Sequence, residues 1–376
     1  MLIGVDASRV TRPRRTGTEN YSLHVLRRVL EQDASNDYRL YLRDGLPPGL
    51  LPARPRTEQV VIGLPRLWTQ LGLSSEMLRR PPDVLFVPSH VLPLVTPRRS
   101  VVVVYDVGHR FFPRAHGRLE RLYLEWSVRR HVRLATALLT ISESTSRDLV
   151  RLYRADPARI AVAYPAVDAR FQPAGAAEIA RVRAAHGLSG PYVLHLGTVK
   201  PRKNLPRLVR AFARAALPAG THLVLGGMTT TGAAALAHAI HQSGVSARVR
   251  QLAYVPNEDL PGLYSGAAAV AIVSLYEGFG MPALEALACG APLVASNRGS
   301  LPEIVGDAGV IVDPLSEASI AQGLERAVGD RAERERLRGA GPRRAAAFDW
   351  DNAARVTRSV LEWAGLPDPA AAPPCW

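Results

Sequence analysis

The chain has 376 residues, 47% of them hydrophobic and 21% charged, which describes a globular protein with a substantial core, long enough for two domains. No apolar run reaches the roughly 18 residues needed to cross a bilayer, and two cysteines, Cys289 and Cys375, exclude a disulfide framework and point to a reducing cytoplasm. The formal charge of +14 is uneven, because residues 1–185 hold 29 basic and 17 acidic side chains against 18 and 16 in the remainder.

A basic first half can face anionic lipid, an acidic polymer or nucleic acid. However, 45 of the 47 basic residues are arginine, so a coding bias can raise the charge without a function. Leu2–Asp6 reads as an opening strand entered directly, with no basic leader or cleavage site. The next helix, Glu19–Gln32, carries its apolar stripe on Tyr21, Val25, Leu26, Val29 and Leu30. Between them lies the loop 12–18, with Gly17 and Thr18 at the carboxyl end of a strand, where open α/β sheets bind ligands. A plain strand-to-helix connection is the simpler reading of that loop, since neither nucleotide glycine pattern is complete.

Further strands are predicted at Tyr38–Leu42, Val60–Ile62, Val84–Val87 and Ser100–Tyr105. His90 follows the first half's fourth strand, and Asp106 and His109 follow its fifth, so all three fall on one sheet edge. A lone loop histidine is more often structural than chemical. Arg118–Ala135 is a helix with Leu119, Leu122, Tyr123 and Trp126 among many arginines. That apolar face is expected to pack on the sheet, the alternative being an interfacial membrane helix. Ala137–Ile141 is a strand, and Ser142 has the chemistry to cap the helix after it.

The regular pattern stops between Tyr164 and Pro173, the expected domain junction. A second strand-and-helix series then runs through Tyr192–Leu196, His222–Leu225, Val249–Leu252, Ala267–Val273, Pro292–Ala295 and Gly309–Val312. The expected fold class is therefore α/β, with two parallel-sheet, Rossmann-like domains. Residues 1–168 form the first, 169–190 a linker and 191–348 the second; the proline-rich end, 365–376, reads as a loose tail.

Two stretches of the second half carry the chemistry. Strand Tyr192–Leu196 runs into a loop from Gly197 to Asn204 that contains the chain's two lysines, Lys200 and Lys203. An ammonium is a compact point charge suited to phosphate, and in an arginine-biased chain this placement implies a task arginine does badly. The loop lacks the ending of a Walker phosphate loop, so nucleotide hydrolysis is not indicated. The other stretch, Ser274–Gly290, reads strand end, glycine turn, helix start. Gly278 and Gly280 allow the turn, Pro282 suits the start of a helix, and Glu277 and Glu285 flank it. Unpaired amides at a helix start suit a phosphate, whereas flanking carboxylates suit hydroxyls; together they describe a nucleotide sugar.

These residues resemble the retaining, two-Rossmann-domain (GT-B) glycosyltransferases of family 4. The motifs that carry the resemblance are Gly197–Asn204, Ala253–Tyr264, Ser274–Gly290 and Ser300–Val305, with Asp106, the Ser142 stretch and Tyr164–Asp168 in support. It implies that Lys203 and Arg202 hold the donor diphosphate, with close backbone contacts at Gly197 and Thr198. Glu277 would bind sugar hydroxyls, with Gly278 and Phe279 in the same turn; the amides of Gly280 and Met281 would face phosphate, and Glu285 would hold the ribose. Lys203 and Glu277 are then the expected catalytic groups, with Asp106 and Tyr105 from the first domain. Gly17, Thr18, His90 and His109 fall on the acceptor side.

The resemblance further implies retention at the anomeric carbon, no bound metal, and no cofactor beyond a UDP- or GDP-linked sugar donor. The expected activity moves a hexose-type sugar to a hydroxyl of a glycan, lipid-linked or small-molecule acceptor. The expected place is cytoplasmic, with peripheral contact at the inner membrane face through the basic first domain; no motif supports nucleic acid. The family's terminal helix, expected near 349–364, crosses back to the first domain. One departure is Tyr105, where many relatives have histidine; another is Thr198, where some carry arginine. The alternatives are an epimerase or phosphorylase on the same fold, or a sugar-nucleotide-binding protein without activity.

Overall fold

Short runs rich in valine, leucine and isoleucine form two all-parallel sheets, whose central strands are buried on both faces, as continuous apolar runs require. The computed structural model describes residues 1–12, 16–89, 91–115, 117–228, 232–252 and 254–369. The chain divides into one unit of Met1–Arg110, His116–Pro165 and Asp349–Trp376, and a second of Phe111–Ala115 and Ala166–Phe348.

In the first unit the strands are β1 (Leu2–Asp6), β2 (Asp37–Leu42), β3 (Thr57–Val61), β4 (Val84–Val87), β5 (Ser100–Val104), β6 (Ala137–Thr140) and β7 (Ile160–Val162). Their order is β3-β2-β1-β4-β5-β6-β7, so the chain winds outward from β1 and then returns to start the other half at β4. Helix α1 (Gly17–Gln32) follows β1, while α2 (Arg118–Leu134) and α3 (Glu143–Tyr153) flank β6 in sequence. Ser142 caps α3 by accepting the Thr145 amide at 3.1 Å, as its sequence implies.

The second unit contains β8 (Tyr192–Leu196), β9 (His222–Gly226), β10 (Val249–Leu252), β11 (Ala269–Ile272), β12 (Leu293–Ser296) and β13 (Val310–Val312), ordered β10-β9-β8-β11-β12-β13. Its helices include α4 (Leu205–Arg214), α5 (Met281–Ala288), α6 (Glu317–Gly329) and α7 (Arg331–Ala345). Leu208, Val209 and Phe212 of α4 share one core with Ile320 and Leu324 of α6. The final helix, α8 (Trp350–Gly365), belongs to the first unit. It packs on α1, where Trp350 meets the Tyr21 ring edge-on and Arg358 donates to the Gln32 carbonyl at 3.1 Å.

Three details differ from the sequence reading. Strand β7 follows a proline turn and is only three residues long, too short to show a period. The apolar face of α2 does not pack on the sheet: Leu119 is 82% exposed, Leu122, Tyr123 and Trp126 are also exposed, and Ser127, Val128 and His131 are what α2 buries. The start of the tail is held, since Arg99 donates to the carbonyls of Gly365 at 2.9 Å and Pro367 at 3.1 Å; residues 370–376 lie outside those described.

Candidate functional site

In the second sheet the strand order reverses between β8 and β11, and a crevice outside the carboxyl ends of such a strand pair is where open α/β sheets bind ligands. The loop Gly197–Asn204 leaves β8 there, and the turn Ser274–Gly280 leaves β11 beside it. Gly197 has φ +148 and stacks tightly on Gly227, whose own φ is +134; a side chain on Gly227 would collide with the Gly197 backbone. Asn204, in the left-handed region at φ 62, donates to the carbonyls of Val273 at 3.1 Å and Pro314 at 2.7 Å. The Leu275 amide donates to the Arg202 carbonyl at 2.8 Å, so the two loops are bolted together.

That bolting brings Glu277 against the cations. Lys203 Nζ donates to Glu277 Oε1 at 2.5 Å, Ser274 Oγ donates to the same oxygen at 2.6 Å, and Arg202 Nη1 donates to Oε2 at 2.6 Å and to the Tyr276 carbonyl at 3.0 Å. Both Lys203 and Glu277 are buried, whereas Lys200 is exposed, so the structure separates the two lysines. Burial alone would raise the Glu277 pKa, but the Lys203 and Arg202 charges, with the hydrogen bonds from Lys203 and Ser274, outweigh it and hold the carboxyl down at about 2.

The turn that follows is fixed from β12. Ser300 donates its hydroxyl to the carbonyls of Glu277 at 3.1 Å and Phe279 at 2.6 Å, and its amide to Glu277 at 3.2 Å. A side chain on Gly299 would meet the Glu277 backbone, which explains a glycine there with φ +60. Gly280, at φ 96, precedes the first residue of α5, Met281; no side chain caps this end, and Pro282 has no amide to leave unpaired. Gly278 and Phe279 are buried in the turn, Phe279 edge-on to Phe348, and Thr198 is partly exposed beside Gly197.

Glu285 falls in the second turn of α5, because the helix starts at Met281. Its carboxylate accepts from the Tyr264 hydroxyl at 2.8 Å. Desolvation raises it to about 7, only partly opposed by Tyr264 and the charge of Arg170. Glu277 and Glu285 are thus opposite in character, one held ionised by cations and one poised near neutrality.

The first unit gathers its own set at the carboxyl edge of its sheet. Tyr105 is buried; its hydroxyl donates to the Pro88 carbonyl at 2.5 Å and lies 3.4 Å from the Thr18 carbonyl and 3.5 Å from Ser22 Oγ. Asp106 is exposed and accepts from the Gly108 amide at 2.8 Å. His109 is buried within bonding distance of Tyr153 Oη at 3.0 Å and Glu125 Oε2 at 3.3 Å. Gly17 is the exposed first residue of α1. His90 and residues 13–15 of the loop before α1 lie outside those described. Among the described residues no three His, Cys, Asp or Glu side chains are grouped to hold a metal ion.

Sequence reasoning named the carboxylates and cations but missed three residues that set them: Ser274, Ser300 and His195. The two serines lie inside recognised motifs, so proximity in sequence was an available signal. His195 Nδ1 stands 2.8 Å from the Ala271 carbonyl of the neighbouring strand, and only pairing reveals that.

Two family models match the chain: "Glycosyltransferase Family 4" over residues 19–171 and "Glycosyl transferases group 1" over residues 178–344. The O-antigen chain mannosyltransferase B of Escherichia coli is 33% identical over 264 residues, 69% of this chain and 69% of that one. A D-inositol 3-phosphate glycosyltransferase of Salinispora tropica is 37% identical over 245 residues, 61% of this chain and half of that one. Among solved structures, sucrose-phosphate synthase from Thermosynechococcus elongatus superposes with a TM-score of 0.73 at 19% identity, covering 96% of this chain and 98% of that one. Anabaena Alr3699/HepE, solved with UDP and glucose, does so at 0.72 and 17%, covering 96% and 99%.

Proposed function

The chain belongs to glycosyltransferase family 4, a retaining family of GT-B fold that transfers sugar from nucleotide sugars, and we propose that its donor site is the β8/β11 crevice around Lys203, Glu277 and α5. The observation that carries this reading is a buried lysine and a buried glutamate in direct contact at a sheet switch point, beside an uncapped helix start. Buried charge is expensive, and a site that keeps both signs without a core-packing need is suited to a ligand that carries both phosphate and hydroxyls.

In this reading the diphosphate takes Lys203, Arg202 and the amides of Gly280 and Met281, with backbone close approach at Gly197 and Thr198. Glu277 turns from its cations to the sugar hydroxyls, and Glu285 accepts from the ribose. The bond between the anomeric carbon and the phosphate oxygen breaks, and a bond to the acceptor hydroxyl forms on the same face. The acceptor proton passes to the departing phosphate oxygen, whose developing charge Lys203 and the helix start stabilise. The second unit is the donor side; the first unit, with Asp106, Tyr105, Gly17, Thr18 and His109, is the acceptor side.

The sugar is a hexose and the acceptor a glycan hydroxyl, a reading supported by the mannosyltransferase named as an O-antigen chain enzyme. The exposed apolar residues of α2, set among the exposed Arg118, Arg121, Arg129 and Arg133, support peripheral contact with an anionic lipid surface. No described helix is long and apolar enough to cross a membrane.

A thermal-shift panel of UDP, GDP, ADP and TDP with their hexose sugars tests the donor reading, because a matched ligand stabilises the fold by mass action. Transfer to a glycan acceptor with retained anomeric configuration is the expected product. Sugar-phosphate formed only with added phosphate would indicate a phosphorylase, and epimerised donor without acceptor an epimerase. Tight binding with neither transfer nor donor hydrolysis would leave a binding protein.

A further inference from the structure

His195 lies two residues before Gly197 on β8 and is 1% exposed. A carbonyl can only accept, so the 2.8 Å contact with Ala271 places the ring proton on Nδ1. Nε2 is then a lone-pair acceptor, and it is buried with no hydrogen-bond partner among the described residues. Such an orphan is uncommon in a folded interior and calls for an explanation.

Its surroundings supply one. The point a side chain would occupy at Gly197 lies 3.6 Å from His195 Nε2 and 3.8 Å from Lys203 Nζ, so acceptor and ammonium approach the same side of that glycine. Lys203 gives a hydrogen to Glu277 Oε1, which also accepts from Ser274, while Arg202 donates to Oε2. With two donors already on Oε1, a sugar hydroxyl can take that oxygen only if Lys203 or Ser274 turns away. An ammonium rotates its three donors about the end of a flexible stem, which a planar guanidinium cannot do.

We propose that His195 is a positioning residue whose Nε2 accepts a hydrogen bond from the Lys203 ammonium when a diphosphate is bound, so that Glu277 is released to the sugar. The inference rests on the donor-site reading above. Burial, reinforced by the Lys203 charge, lowers the ring's pKa to about 4, so Nε2 keeps its lone pair at neutral pH. It also gives a reason for lysine at 203: the residue serves two acceptor sets in turn.

The test compares His195→Phe, which keeps ring bulk without an acceptor, with His195→Gln, which restores an oxygen near the Nε2 position. UDP and GDP, with the matching nucleosides, are the probes in calorimetry on the full chain. His195→Phe should weaken the preferred nucleoside diphosphate about tenfold, the worth of one hydrogen bond to a charged group. The nucleoside alone should bind as before, and His195→Gln should recover most of the loss. Equal losses for nucleoside and diphosphate, or no loss, would overturn the proposal.

Lys203→Met separates the two readings. If that variant keeps full diphosphate affinity, or the parent binds none of UDP, GDP, ADP and TDP, the donor-site reading itself fails. If Lys203→Met loses affinity and a folded His195→Phe does not, only the positioning role fails. Should His195→Phe not fold, nitrogen NMR of the parent decides: the Nε2 resonance should move to that of a hydrogen-bonded acceptor on adding diphosphate, and an unmoved resonance overturns the proposal.

Discussion

Lys203 Nζ and Glu277 Oε1 stand 2.5 Å apart although the residues are separated by 74 positions in the chain. The pair joins the loop after β8 to the turn after β11, and Arg202 completes it from the other carboxylate oxygen. Removing one member of a buried pair costs more than removing both, because the other keeps its charge with less to balance it; here Glu277 would retain Arg202 alone as a cation. Lys203→Met should therefore lower unfolding stability by about 3 kcal/mol and abolish transfer. The double variant Lys203→Met/Glu277→Gln should regain most of the stability and none of the activity. Urea denaturation with a transfer assay on the same preparations checks both; a double variant as unstable as the single would remove the pairing argument.

The same pair sets an acid response. Glu277 is held at about 2 against an ordinary 4.5. A carboxylate depressed in the folded state stabilises the protein above pH 4.5, and that contribution is lost as pH falls from there toward 2. The parent should lose on the order of 3 kcal/mol through this group across the window, and Glu277→Gln should show a shallower acid slope. Matching slopes for parent and variant would show that the carboxylate is not held down.

Glu285 should behave in the opposite sense. Burial lifts it to about 7, with Tyr264 and Arg170 partly opposing and Cys289, itself pushed up to about 12, remaining a thiol throughout. A carboxyl raised in the folded state stabilises most below pH 4.5, and that contribution is lost as pH rises through about 7. Ribose hydroxyls bond more strongly to the ionised form, which accepts through both oxygens, so nucleoside affinity should rise several-fold between about pH 6 and pH 8. Glu285→Gln should bind weakly with no such rise. Calorimetry at three pH values distinguishes the two profiles.

Tyr105 carries a hydroxyl bound to the Pro88 carbonyl at 2.5 Å and adjacent to Thr18 and Ser22. Tyr105→Phe should cost about 1 kcal/mol of stability, raise KM for the acceptor and leave nucleoside diphosphate affinity unchanged. Tyr105→His asks whether an imidazole in this position widens the acceptor range. If neither variant alters any acceptor's kinetics, the residue is a packing element of the first unit.

The exposed Leu122 and Trp126 of α2 should insert at a lipid surface. Co-sedimentation with vesicles containing anionic lipid should be strong at low salt, weaken as salt rises, and be lost in Leu122→Glu/Trp126→Glu. Equal sedimentation with neutral vesicles would point to apolar contact without the charge.

By itself the amino-acid sequence determined what depends on near neighbours. The strands show as short apolar runs, and the glycines and prolines of Gly197–Asn204 and Ser274–Gly290 mark turns through backbone preference alone. The arginine bias made Lys200 and Lys203 stand out, yet could not tell that one is exposed and the other buried. That distinction depends on which loop lies opposite, and loops are brought together only by the reversal of strand order at β8 and β11. The fate of α2 was hidden for the same reason, since periodicity reveals an apolar stripe but not what covers it. His195 was silent because its meaning lies in a carbonyl on the adjacent strand and an ammonium beside the same glycine. The tertiary structure also divided the two glutamates: eight residues apart in one motif, they are alike in composition. Cations gathered from another loop hold Glu277 ionised, while burial without such cations leaves Glu285 near neutrality. Charge states follow from distance in space, and those distances exist only after folding.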